Sequence, residues 1–133
     1  MRLIVTRPQH DIPTNYLSCW AEEIIKLAEE KGIEVIDLIR EKANRKELVG
    51  RIRKLSPELV FLNGHGEEDC IAGHDDEILI KAEDNHALLK GKITYALACK
   101  SGKVLGQKIS EGNDGSYIGY SDDFIFISDN NYT

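Results

Sequence analysis

Short apolar runs alternate along the chain with stretches in which apolar residues recur every three or four positions. Arg2 to Thr6, Ile33 to Ile39, Leu59 to Leu62, Ile93 to Ala98 and Ser116 to Tyr120 have the length and apolar content of strands. After the first of them, Thr14 is placed as the N-cap of a helix running to about Lys31, which Gly32 ends. Within that helix Leu17, Trp20, Ile24, Leu27 and Ala28 share one face, the face expected to be buried. A second helix is predicted from about Asn44 to Leu55, stopping before Ser56-Pro57, and a third from about Lys103 to Ser110. Between the third and fourth strands, Cys70-Ile71-Ala72 and Glu77-Ile78-Leu79-Ile80 flank Gly73-His74-Asp75-Asp76, a pattern for a small β-hairpin, and Asp84 to Leu89 reads as one short helix.

Strand, helix, strand, helix, strand is the order of a parallel sheet wound in βαβ units. Leu59 to Leu62 is apolar at every position, as a strand covered on both faces must be. The predicted fold class is therefore α/β, a mostly parallel central sheet with helices on both faces, and 133 residues suffice for one such domain. Phe124-Ile125-Phe126-Ile127 reads as one more strand with little chain after it. Such an apolar edge needs a cover, so it predicts either pairing with a second copy or a partner protein, or a C-terminally truncated chain.

Composition narrows the classes. A hydrophobic fraction of 41% and a charged fraction of 30% are those of an ordinary soluble protein. No run approaches a membrane span and Met1-Arg2-Leu3-Ile4-Val5 enters a strand directly, so a cytoplasmic protein with no membrane partner is expected. The net charge of −6 argues against nucleic acid as the main partner. Basic residues gather between Arg40 and Lys54 with helical spacing, which reads as a solvated helix face. Acids gather between Glu67 and Asp84, directly after His65, and would bias a site there toward cationic substrates.

The chemistry lies at two strand ends. Leu62-Asn63-Gly64-His65-Gly66 and Ala98-Cys99-Lys100-Ser101-Gly102 each end an apolar run in a reactive side chain between small residues. Functional loops of open parallel sheets lie at the carboxyl ends of the strands. Neighbouring strands about 4.8 Å apart would bring His65 and Cys99 together as a dyad for a cysteine nucleophile. The start of the third helix and Lys100 would favour the Cys99 thiolate, and the backbone N–H groups of Gly66 and Cys99 are candidate oxyanion donors. Three cysteines at unrelated spacings form neither a disulfide framework nor a paired metal motif. Cys19, beside Trp20, reads as core. The spacing of His65, Cys70 and His74 suggests zinc but offers no evident fourth ligand, and a metal there would quench a nucleophile, so no metal is expected. His10 and Asp11 follow the first strand at the same sheet edge and could line the cleft, but read better as solvated loop residues.

Gly64-His65-Gly66, Ala98-Cys99-Lys100-Ser101-Gly102 and Tyr117-Ile118-Gly119-Tyr120 together resemble the clan CD cysteine peptidases, the clan of caspases, gingipains, clostripain, separase and the CHAT domains. The resemblance is greatest to the gingipain-like and CHAT-like branches. It implies a caspase-like three-layer α/β sandwich, His65 and Cys99 as the catalytic dyad, Gly66 as the oxyanion glycine, and cofactor-free hydrolysis of a peptide or protein substrate. Asp122 and Asp123, after the fifth strand, match the place of acidic pocket residues that would pair with a basic substrate side chain, and equally serve as turn or capping aspartates. Two other readings stand beside the peptidase: a catalytically silent or partner-activated interaction module on the same fold, and a flavodoxin-like or nucleotide-binding domain. The last lacks a phosphate-cradling glycine loop, since Arg7-Pro8-Gln9-His10 follows the first strand.

Overall fold

The computed structural model describes residues 1–112 and 115–123. In chain order these form β1 (Arg2–Arg7), α1 (Ile12–Glu30), β2 (Glu34–Ile39), α2 (Arg45–Leu55), β3 (Leu59–Asn63), β4 (Gly66–Glu67), β5 (Cys70–Ala72), β6 (Ile78–Lys81), β7 (Ile93–Leu97), α3 (Leu105–Ser110) and β8 (Ser116–Ile118). The main sheet has the order β2-β1-β3-β7-β8 with every neighbouring pair parallel. The predicted strand over Phe124 to Ile127 lies outside the described residues.

Alternation along the strands sorts side chains into two layers. Leu3 and Val5 of β1 and Phe61 of β3 face α1, where Ala21, Ile25 and Ala28 meet them. Ile4, Val60, Leu62 and Ala96 face the other way, onto Leu48 and Ile52 of α2 and Leu105 and Ile109 of α3. Helices thus cover both faces. The predicted hairpin is part of a three-stranded antiparallel sheet, β4-β5-β6, because Gly66–Glu67 adds a strand too short to show alternation in sequence. Its Ile71, Leu79 and Ile80 join the core on the α2 side. The short helix expected over Asp84 to Leu89 is a single 3-10 turn, His86–Leu89.

Two features of α1 differ from expectation. The N-cap is Asp11, whose carboxylate accepts the Thr14 N–H at 3.0 Å while the Thr14 hydroxyl accepts the Asp11 N–H at 3.2 Å, a reciprocal box that makes Thr14 the third residue of the helix. Leu17 and Ala28 are buried as predicted, but Trp20, Ile24 and Leu27 are 42%, 46% and 49% exposed. The apolar arc of α1 is wider than its contact with the sheet, so its buried centre runs through Leu17, Ala21, Ile25 and Ala28. The edge carrying Trp20, Ile24 and Leu27 overhangs an apolar groove of about 550 Å³ against Phe61, Tyr95 and Leu97. Cys19 is exposed as well, not core.

In α2, Asn44 caps the start by accepting the Glu47 N–H at 2.8 Å, and Ser56 ends the helix in the left-handed region at φ 44°. Only Leu48 and Ile52 of this helix are buried, so the basic cluster is a solvated face. No helix among the described residues is long and apolar enough to cross a membrane.

Candidate active site

The register of the sheet sets the site. Leu62 pairs with Ala96, and Thr6 pairs with Leu62, so the carboxyl ends of β1, β3 and β7 lie level on adjacent strands. His65 is three residues past Leu62 and Cys99 three residues past Ala96, so the two leave the same edge at equivalent positions. This edge is also where the chain order of the strands reverses, between β1 and β3, the usual ligand position in open parallel sheets.

The loop carrying His65 is fixed by its backbone. The Gly64 N–H donates to the Leu97 carbonyl at 3.3 Å, and the His65 carbonyl accepts the Ala72 N–H at 2.9 Å. Gly64 has φ 155°, and a Cβ there would stand 2.3 Å from the Ala72 oxygen, so the position admits no side chain. A Cβ on Gly66 would stand 2.5 Å from the Cys99 carbonyl oxygen and 2.8 Å from the Ala98 Cβ, so the two strand-end loops touch through this glycine. His65 and Cys99 both line a cleft of about 520 Å³ whose other walls include Gly66, Cys70, Asp76 and Asp123.

His65 Nε2 lies 2.5 Å from Asp11 Oδ2. Asp11 is the residue that caps α1, and it reaches His65 because β1 and β3 are neighbours. Partial burial alone would raise its carboxyl, but the bonds from the Thr14 amide and His65 prevail and hold it at about 2. Asp11 is therefore an ionised acceptor for the Nε2–H of His65, which leaves Nδ1 as the ring nitrogen with the free lone pair. The sequence signal for this third member is its place one loop after a strand end, which acquires meaning only with the strand order.

Cys99 is half-buried at the start of a run of turns. Lys100, in the left-handed region at φ 60°, donates its N–H to the Asp122 carbonyl at 3.1 Å, and the Gly102 N–H donates to the Tyr120 carbonyl at 2.8 Å. These bonds tie the cysteine loop to the segment after β8. The expected helix start behind Cys99 is not found there. α3 begins at Leu105, and the N–H groups of Val104 and Leu105 both donate to the Glu68 carbonyl, so the helix terminus is occupied by the β4–β5 turn. Cys70, the other thiol of the cleft, is buried, and burial together with Asp69 pushes its thiol up, which makes it the poorer nucleophile.

Of the two pocket aspartates, Asp123 lines the cleft, with its carboxylate 3.9 Å from Lys100 Nζ. Asp122 is not among the lining residues and serves through its backbone carbonyl. The zinc grouping of His65, Cys70 and His74 does not assemble. His74 Nδ1 instead accepts the Gln9 N–H at 3.3 Å, and the donor atoms that do converge are those of His10, His65 and Asp76, all within 4.8 Å of one another. His10 is nine-tenths buried in its side chain and lies against this edge, not in solvent. The cleft wall is acidic through Glu67, Asp76 and Asp123, and this disfavours a phosphate-bearing ligand. No family model matches the chain, and no curated protein matches it either.

Proposed function

We propose that this chain is a cysteine-type peptidase of the caspase-like clan, with Cys99 as nucleophile, His65 as proton carrier and Asp11 as the residue that orients and charges His65. The observation carrying this reading is the 2.5 Å contact of His65 Nε2 with Asp11 in the cleft that Cys99 also lines. In the reaction the Cys99 thiol passes its proton to His65 Nδ1, and Sγ bonds to the acyl carbon of the substrate. The carbon–nitrogen bond then breaks as His65 returns that proton to the leaving amine. Water attacks the resulting thioester by the reverse proton path, releasing the acid and restoring the thiol. The amides of Gly66 and Cys99 are the oxyanion donors.

The acidic wall of Glu67, Asp76 and Asp123 supports substrates with a basic side chain beside the scissile bond. A second reading, a silent interaction module on the same fold, is favoured by the exposed Trp20, Ile24 and Leu27 beside the sheet. Labelling with iodoacetamide and with an acyloxymethyl ketone separates the two. For the peptidase, Cys99 is the fast-reacting thiol, Cys99→Ala abolishes fast labelling, and His65→Ala slows it by about tenfold or more. Equal rates for Cys99 and the exposed Cys19, indifferent to His65, would leave the interaction module.

A further inference from the structure

Beside the His65–Asp11 pair, a second imidazole and a second carboxylate converge. His10 Nε2 lies 3.1 Å from Asp76 Oδ1 and 3.7 Å from Asp11 Oδ2, and the rings of His10 and His65 meet edge-on at 5.7 Å. Donor atoms of His10, His65 and Asp76 thus lie within 4.8 Å of one another at the cleft rim, and Asp11 Oδ2 stands beside both imidazoles. A tetrahedral zinc site, with metal–ligand bonds of about 2.0–2.1 Å, has its ligand atoms about 3.4 Å apart. The two His10 separations bracket that value, and the His65–Asp11 contact needs only to open.

His10 itself points to a ligand. Its side chain is 10% exposed, and the ring atom it turns toward this volume is Nε2, aimed at the carboxylates of Asp76 and Asp11. What holds the ring is Nε2, and its nearest contact, the Asp76 carboxylate, is 63% exposed and so a weak anchor as an ion pair. A metal shared by His10, His65, Asp76 and Asp11 would account for a buried imidazole aimed at two carboxylates. Two neutral imidazoles with two carboxylates balance a divalent charge, and imidazole nitrogens select a transition metal over magnesium or calcium.

We propose that His10, His65 and Asp76, with Asp11 as the fourth ligand, bind a divalent transition metal such as Zn2+, and that this cation is an inhibitor of the thiol chemistry. The inhibitory half rests on the peptidase reading; the binding half does not. The metal takes the lone pair of His65 Nε2, so the ring proton moves from Nε2 to Nδ1, and Asp11 exchanges an N–H donor for the cation. No proton is lost overall. The Nδ1–H that results cannot accept the Cys99 proton, and the thiol loses its base.

The test is titration with Co2+, read by its visible ligand-field absorption, and with Zn2+ by calorimetry, on the whole chain and on Cys99→Ala. One equivalent bound by both, with nitrogen and oxygen ligation and no sulfur-to-cobalt charge-transfer band, is the expected result. His10→Ala and Asp76→Asn each weaken binding at least tenfold, the second at an exposed position that leaves the fold intact. For each variant the alkylation rate with Zn2+ is divided by its own metal-free rate, and this ratio, well below one in the parent, is near one in both variants. Loss of binding in Cys99→Ala, a sulfur band, or binding indifferent to His10 and Asp76 would overturn the proposal. Slow alkylation of metal-free Cys99 would overturn the peptidase reading and leave the metal site standing.

Discussion

Asp11 carries two duties on one carboxylate. Oδ1 caps α1 through the Thr14 amide, and Oδ2 meets His65. Two substitutions part the duties. Asp11→Asn keeps a capping side chain and removes the charge, whereas Asp11→Ala removes both and costs about 1 kcal/mol of helix stability. The expected result is that both slow Cys99 alkylation, while only Asp11→Ala lowers the urea midpoint appreciably. Acid adds a second check. The carboxyl is held at about 2, below its ordinary 3.8, so the stability it contributes is complete above 3.8 and is lost as pH falls from there through about 2. Circular dichroism across that window should show a shallower loss for Asp11→Asn than for the parent. His65 and Cys99 were legible as residues because each ends an apolar run between small neighbours. Asp11 and His10 were visible as neighbours of the cleft but not as members of it, since their partners lie in the loop after β3 and in the turn before β6 and only the tertiary pairing brings them together.

At the scale of elements, α1 shows where periodicity stops being informative. Spacing places Trp20, Ile24 and Leu27 on an apolar arc, yet it does not say how much sheet the arc will meet. Adjacent residues therefore make the test. Ile25→Ala opens a hole against Leu3 and Val5 and should cost about 2–4 kcal/mol. Ile24→Ala, at a 46% exposed position, should stay within about 0.5 kcal/mol, both measured by urea unfolding. Comparable losses at the two positions would mean that α1 is rotated relative to the sheet. Helix starts were read with mixed success for a physical reason. Asn44 has one competitor-free capping role, whereas both Asp11 and Thr14 have capping chemistry, and only the backbone decides which lies outside the helix. For α3 the expected start lies near Lys103, but the carbonyl of Glu68, far off in sequence, binds the amides of Val104 and Leu105 and the helix begins at Leu105.

For the whole molecule, the alternation of strands and helices was enough to read a parallel α/β sheet, because each βαβ crossover leaves a local pattern. Strand order leaves none. That β1 lies between β2 and β3, and that β7 lies outside β3, follows from long-range packing of the faces seen in the two core layers. The third strand of the small sheet escaped notice because two residues are too few to display a period. The strand order also bears on synthesis. The chain is made from its N-terminus, so β1, β3 and the two members of the Asp11–His65 pair are all in place in the sequence before the strand that leads to Cys99. The ties from Lys100 and Gly102 in turn wait for Asp122 and Tyr120. Pulse-labelled hydrogen exchange during refolding should accordingly protect the amides of β1 and β3 before those of Lys100 and Gly102, with simultaneous protection counting against this sequence of events. A nascent copy thus carries both Asp11 and His65 for the whole stretch of synthesis before Cys99 exists, and the loop that holds the thiol stays untied until Asp122 has been added.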